Sequence, residues 1–372
     1  MIPLTVPDLR GNEARYLAQC VADNWVSSAG PYVTRFEARM AELTGCGHAV
    51  ATVNGTAALH TALMVAGIGP GDHVIVPDWT FAATANAVRH AGADPVLVDV
   101  CPATWTLDPA LVGQVLAAAK PPIAAVIAVH ALGHPADMDA LGSLCRDAEV
   151  ALIEDAAGAV GARYRCRPVG ALSDVAIFSF NGNKTVTAGG GGMLVTDHES
   201  WAARARHLTT QARSGPDYEH DMIGYNYRMT NLNAAVGLAQ LERLEDMLAA
   251  KRALAARYDA TLAGRADLAP MPRVDWAQSN NWLYAVRVAD AGDGAALVAE
   301  LGQSGIEARC FWRALSDQPP FADAPTCLAG VARALSGAVV TLPSSSGLAA
   351  ADQDRVIEAL ARWRGAALVP AA

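Results

Sequence analysis

Lys184 stands in the run SFNGNKTVTAGGGGM (residues 179–193), a single cation followed by four consecutive glycines, Gly189 to Gly192. A lysine at the end of an apolar strand, in a loop with little other charge, loses basicity as water is withdrawn. Its free amine can then attack a carbonyl and form a Schiff base. The plainer reading is a solvated loop lysine. Two phosphate-loop patterns do not apply: G-x-x-x-x-G-K-[ST] is absent around Lys184, and no G-x-G-x-x-G follows the first expected strand. Upstream, Asn54-Gly55-Thr56-Ala57 opens a helix directly after a strand. Main-chain N–H groups, a hydroxyl and a positive helix end suit a phosphate there, although the tetrapeptide alone reads as an ordinary helix cap. Trp79 and Phe81 follow the next strand, where a ring can stack on a planar ligand or fill core. Glu154 and Asp155 end a third. Consecutive strand residues point to opposite faces, so one of these carboxylates faces the ligand crevice and can pair with a cationic ring nitrogen. No further carboxylate follows closely enough to read as a metal site, and Cys46-Gly47-His48 lacks the partner pair of a zinc set. In chain order these are a phosphate cradle, a ring stacker, a strand-end carboxylate and a Schiff-base lysine, the four functions that pyridoxal phosphate needs.

The elements that must position them alternate. HAVATV, HVIVPD, DPVLVDV, IAAVIAVH and VALIED are short apolar runs separated by helical stretches. Such alternation predicts right-handed crossovers and a largely parallel sheet covered by helices on both faces. Ligands of these sheets bind outside the carboxyl ends of the strands, where all four candidates fall. After Asp155 the rhythm changes, and DVAIFSF and GMLVTD are strands joined by the Lys184 loop without a full helix. A long Ala/Leu-rich helix is expected from about Leu232 to Leu262, leading to a second strand and helix pattern beyond Pro270. The expected class is α/β: a large cofactor-binding domain with an N-terminal arm over residues 1–245, and a smaller C-terminal α/β domain over 246–372.

Hydrophobic residues make up 52% and charged residues 17% of the 372, enough for a sizeable core and against disorder. The formal charge of −9, with no basic stripe, sets aside nucleic acid as a partner. Seven widely spaced cysteines without a C-x-x-C pair read as reduced thiols in a cytoplasmic protein. MIPLTVPDLRGNEARYL is too polar for a signal peptide, and no apolar run reaches the length of a membrane span.

NGTAALHTAL, IVPDWTFAATANAV, HPADMDAL, IEDAAGAVGA, SFNGNKTVTAGGGGM and GYNYRMTNLNAAVGLAQLE, in this order, resemble the DegT/StrS-type sugar aminotransferases. These are pyridoxal-phosphate enzymes of the aspartate aminotransferase fold (fold type I). The similarity runs from NWVSSAGPYVTRFE to TLPSSSGL. The resemblance implies that Lys184 forms the Schiff base and shuttles protons, and that Asp155 pairs with the pyridinium nitrogen. It implies that Phe81 stacks on the ring and that Gly55, Thr56, Ala57 and Ser179 hold the phosphate. Asn226, in GYNYR, is expected to reach the cofactor phosphate of a neighbouring subunit, which implies a homodimer with shared active sites. Ser28, Trp79, Tyr227 and Arg228 become candidates for substrate contact. Within the family the pattern looks most like enzymes that aminate C4 of nucleotide-linked 4-keto-6-deoxy sugars from L-glutamate. The UDP-N-acetylbacillosamine type is the nearest match, because the similar GDP-perosamine synthases usually carry an acid in the glycine block. A GDP-perosamine synthase-like enzyme, C3 amination of a sugar or cyclitol, and, behind these, a non-catalytic pyridoxal-phosphate sensor are the alternatives. Three positions depart from the family pattern: Gly158 where Gln, His or Glu is usual, Leu132 in place of tyrosine, and Ser316 in place of histidine.

Overall fold

Two helices, α1 (Glu13–Ala22) and α2 (Pro31–Thr44), precede the first strand. Then β1 (His48–Thr52), α3 (Gly55–Val65), β2 (His73–Pro77), α4 (Ala83–His90), β3 (Asp94–Val98), α5 (Pro109–Ala118), β4 (Ile123–Val129), α6 (Met138–Asp147) and β5 (Ala151–Asp155) alternate as the apolar pattern predicts. The structure is a computed structural model and describes every residue except 119, 121 and 369–372. A hairpin of β6 (Arg163–Tyr164) and β7 (Arg167–Pro168) comes next, and β8 (Val175–Ser179) and β9 (Gly192–Thr196) flank the Lys184 loop. The chain continues through α7 (Glu199–Thr209), the hairpin β10 (Arg213–Ser214) and β11 (Glu219–His220), α8 (Asn231–Leu241) and α9 (Leu244–Leu262). It ends with β12 (Ala269–Pro270), β13 (Ala277–Gln278), β14 (Tyr284–Arg287), α10 (Ala291–Gln303), β15 (Arg309–Cys310), β16 (Thr326–Cys327), α11 (Val331–Leu335), β17 (Val339–Leu342) and α12 (Ala350–Arg362).

The large sheet has the order β1-β9-β8-β5-β4-β2-β3-β16. Only β9 runs antiparallel to its neighbours β1 and β8; the other pairs are parallel. Side chains alternate across it. Ile153, Val175 and Ile177 join the core under α3, α4 and α7, while Ala176 and Phe178 join the core with α2 and α8. The same period of two puts Asp155 on the face of Ile153 and Glu154 on the other. A second, antiparallel sheet, β12-β14-β17-β15, packs with α9, α10 and α12 around Tyr258, Leu297, Val340 and Leu360.

Three features differ from the sequence reading. The helix expected over 232–262 is two helices, with Arg243 at φ −112°, ψ 10° between them. The N-terminal segment pins this joint: Gln240 Nε2 donates to the Asp8 carbonyl, Arg243 to the Asp8 carboxylate, and Tyr16 and Asn12 donate to Glu242. An unbroken Ala/Leu pattern carries no trace of such distant partners. The N-terminal arm, expected with the large domain, instead sends Ile2 into the core of the second sheet, where it bridges Ile306. Conversely β16, from the C-terminal part, extends the large sheet beside β3. Among the described residues no helix is long and apolar enough to cross a membrane.

Candidate active site

A cavity of about 540 Å³ opens at the carboxyl ends of β4, β5 and β8, beside the β1–α3 turn. Gly55, Thr56, Phe81, Asp155, Ser179 and Lys184 all line it. At one end Asn54 caps α3. Its Oδ1 accepts the Ala57 N–H at 2.8 Å, and its carbonyl accepts the Ala58 N–H at 3.1 Å. That leaves the N–H groups of Gly55 and Thr56 for a ligand. Ala57, expected in the cradle, gives its N–H to the Asn54 cap and does not line the cavity. A Cβ on Gly55 would lie 2.7 Å from Ser179 Cβ, so glycine lets the turn close onto that serine. Gly192 answers a similar demand from outside the cavity. A Cβ there would meet the Asn54 carbonyl oxygen at 2.3 Å.

At the other end sits Asp155. Oδ2 accepts from the Thr84 hydroxyl at 2.8 Å and Oδ1 from the Ala157 N–H at 3.1 Å, which fixes the plane of the carboxylate. Thr84 escapes the sequence reading; its only signal is a position one helical turn after Phe81. Glu154 serves the fold. It accepts from the Gly170 and Leu172 N–H groups and the Ser173 hydroxyl, and it pairs with His130 Nε2 at 3.0 Å. His130 Nδ1 takes the Ala136 N–H, so the bonding assigns the ring proton to Nε2.

Lys184 lies between the two ends. The residue as a whole is half-buried, but its Nζ sits deep, 3.4 Å from the centroid of the Trp282 ring. Burial pulls the amine down from 10.5 to about 7, against the opposing pull of the Asp155 charge. Near neutral pH a large share of Lys184 is therefore free amine, the nucleophilic form. Phe81 forms part of the wall with 63% of its surface exposed, an apolar platform open to a planar ligand.

The substrate candidates fare differently. Trp79 is corrected to core: it is 1% exposed, packs edge-on against Trp105 and Trp312, and gives its N–H to the Trp312 carbonyl at 3.0 Å. Arg228 forms an ion pair within the chain and does not line the cavity. It binds the Glu37 carboxylate at 2.9 Å and the Ala51 carbonyl, and Glu37 also holds Arg206. Tyr227 stacks on Tyr225, turns its hydroxyl to His60 Nδ1 and does not line the cavity. Ser28 and Asn226 are exposed and outside this protomer's cavity. The three departures have local causes. Gly158 backs onto the Trp282 ring, buried Leu132 packs in the core with Trp79 and Trp105, and Ser316 donates its N–H and hydroxyl to Asp78 at 2.7 and 2.9 Å. Trp282, read in sequence only as part of a strand, lines the cavity.

Pyridoxal phosphate fits these residues. Donors and a helix N-terminus suit its phosphate, a fixed carboxylate suits its ring nitrogen, an aromatic platform suits its face, and a desolvated lysine suits its aldehyde. The comparisons with known proteins agree. The profile of the DegT/DnrJ/EryC1/StrS aminotransferase family matches residues 7–361. The chain is 41% identical over 366 residues to the GDP-perosamine synthase of Caulobacter vibrioides, covering 96% of this chain and 97% of that protein. It is 42% identical over 265 residues to the GDP-perosamine synthase of Vibrio cholerae, covering 71% of each. Among solved structures, S. venezuelae DesV superposes with a TM-score of 0.89 at 35% identity, over 96% of this chain and 98% of that one. With the family profile matched over residues 7–361 and a full-length relative at 41% identity, the chain belongs to the DegT/DnrJ/EryC1/StrS aminotransferase family.

Proposed function

We propose that this pyridoxal-phosphate-dependent sugar aminotransferase moves an amino group from L-glutamate to C4 of a GDP-linked 4-keto-6-deoxy sugar. The observation that carries the chemistry is a lysine whose amine lies buried against Trp282, in one cavity with a carboxylate fixed by Thr84 and Ala157. When bound, pyridoxal phosphate supplies an electron sink for the carbanion formed at the amino-bearing carbon. Gly55 and Thr56 N–H groups, with the Thr56 and Ser179 hydroxyls, would hold its phosphate. Asp155 would hold a proton at its ring nitrogen, and Phe81 would cover a face. The Lys184 amine would take the proton from the glutamate α-carbon as the amino group passes to the cofactor and 2-oxoglutarate leaves, and would deliver a proton to C4 of the sugar in the second half-reaction; a lysine that is both acid and base near the working pH can do both. Keto sugar then reverses the sequence. As a homodimer, each protomer's Asn226 is proposed to complete the phosphate site of the other.

The sugar is assigned against the UDP-N-acetyl expectation of the sequence. A full-length relative at 41% identity is named GDP-perosamine synthase, and so are two further relatives at 42%. These support the GDP-linked substrate more than an acid-free glycine block supports the UDP-linked one. The test is a panel of GDP- and UDP-linked 3- and 4-keto-6-deoxy sugars with glutamate, read by mass spectrometry and NMR. A C4 amine on the GDP-linked sugar is expected; conversion of the UDP-linked sugar alone, or amination at C3, refutes the assignment. Purified protein should show a yellow band that borohydride bleaches with label on Lys184. Full turnover by Lys184→Ala would overturn the mechanism.

A further inference from the structure

Gly158 and Trp282 share one space. A Cβ on Gly158 would lie 2.3 Å from Trp282 Cε3, 2.9 Å from Cζ3 and 3.0 Å from Cδ2. The six-membered ring of the indole thus fills the volume that a side chain at position 158 would take. Trp282 is held from three directions. Its main-chain N–H donates to Asn280 Oδ1 at 2.8 Å, its carbonyl accepts from the Lys251 ammonium at 3.1 Å, and its indole N–H donates to the Asn183 carbonyl at 2.7 Å. Both holders are themselves fixed. Asn280 Nδ2 donates to the Gly158 and Val160 carbonyls, and buried Lys251 also donates to the Ser344 carbonyl at 2.6 Å. One asparagine therefore ties both members of the pair together. The anchored carbonyl belongs to the residue before Lys184, and the indole face meets Lys184 Nζ 3.4 Å from the ring centroid.

We propose that Trp282 is the positioning residue for the reactive amine: its indole face seats the Lys184 ammonium, its N–H anchors the loop before Lys184, and Gly158 admits the ring. The proposal rests on Lys184 being the reactive amine. An ammonium on an aromatic face is favoured by the ring quadrupole, most strongly where water is excluded. The seat thus favours the protonated lysine, as the Asp155 charge does, while burial favours the neutral amine. The other charged or titratable groups around the site, among the described residues, are His130, Arg309 and the Cys310 thiol on the cavity wall, the last raised by burial, and Lys251 behind the Trp282 main chain.

The test uses the full chain freed of cofactor, so that neither substrate nor turnover enters. Arylation of Lys184 by trinitrobenzenesulfonate is followed against pH and mapped to residue 184 by mass spectrometry. In the wild type the midpoint should lie near neutrality. Trp282→Met keeps apolar bulk but removes the ring and its N–H, and the midpoint should fall by about one pH unit. Trp282→Phe, which restores a ring face, should recover about half of that shift. Gly158→Ala pushes the indole off the amine and should shift the midpoint in the same direction. The Gly158→Ala/Trp282→Met pair should shift it no further than Trp282→Met alone. A midpoint unchanged or raised in Trp282→Met, or additive shifts in the pair, overturns the proposal. Should the methionine variant fail to fold by thermal melting, the phenylalanine variant decides, and an unchanged midpoint there overturns it. An ordinary lysine midpoint in the wild type overturns the reactive-amine reading itself, and the proposal with it.

Discussion

Replacing Lys184 by methionine is expected to stabilise the cofactor-free protein at neutral pH, at the loss of its chemistry. Burial lowers the amine from 10.5 to about 7. At roughly 1.4 kcal/mol per unit, holding a charged lysine there costs at most about 5 kcal/mol. Partial exposure of the residue and the Trp282 face offset part of this, leaving roughly 2–3 kcal/mol to be gained by methionine. The folded pKa lies below the unfolded one. Between about pH 7 and 10.5 the unfolded chain therefore binds more protons at this site, and wild-type stability rises with pH across that window. The advantage of methionine is thus full at or below about pH 7 and gone by about pH 10.5. Lys251, also lowered to about 7 by burial, is common to both proteins and cancels in the difference. The assay is the urea midpoint of the two proteins at equal concentration, at about pH 6.5, 8.5 and 10. Equal midpoints at the lowest pH, or a gap that widens as pH rises, would refute the reasoning.

Thr84→Val removes one of the two protein donors to the Asp155 carboxylate, and kcat should fall about tenfold while the fold survives; steady-state kinetics with glutamate would show it, and an unchanged kcat would mean that Thr84 does not orient Asp155. Gly55→Ala drives a Cβ to 2.7 Å from Ser179 Cβ, so the phosphate cradle must open; spectrophotometric titration should show cofactor retention weakened at least about tenfold. Glu37→Ala leaves Arg228 and Arg206 without their shared carboxylate and should cost about 3 kcal/mol in denaturant unfolding. The folded fraction of that variant should still form the yellow band, because Glu37, Arg228 and Arg206 all lie off the cavity.

Much of the site is legible in the sequence because its members obey local rules. Asn54 to Thr56, Asp155 and Ser179 stand at the ends of apolar runs, and alternation of strand and helix carries such ends to one edge of a parallel sheet. Period two likewise separates Asp155 from Glu154 without knowledge of any partner. Other roles depend on contacts that no local pattern encodes. Strand position alone does not separate Trp79 from Phe81; the family motif gives the ring-stacking role to Phe81, and the packing of Trp105 and Trp312 buries Trp79 while Phe81 stays on the cavity wall. Arg228 belongs to Glu37, 191 residues away, and the break between α8 and α9 belongs to Asp8, Asn12 and Tyr16. Trp282 reads as a strand residue until the fold lays it over Gly158 and against Lys184. By itself the sequence determined the sheet, the family and the lysine–carboxylate pair, because strand period, helix caps and motif order are properties of neighbouring residues. Tertiary structure alone decided that Trp79 is buried, where Arg228 spends its charge and what the lysine rests upon, because close packing pairs side chains that lie far apart in the chain.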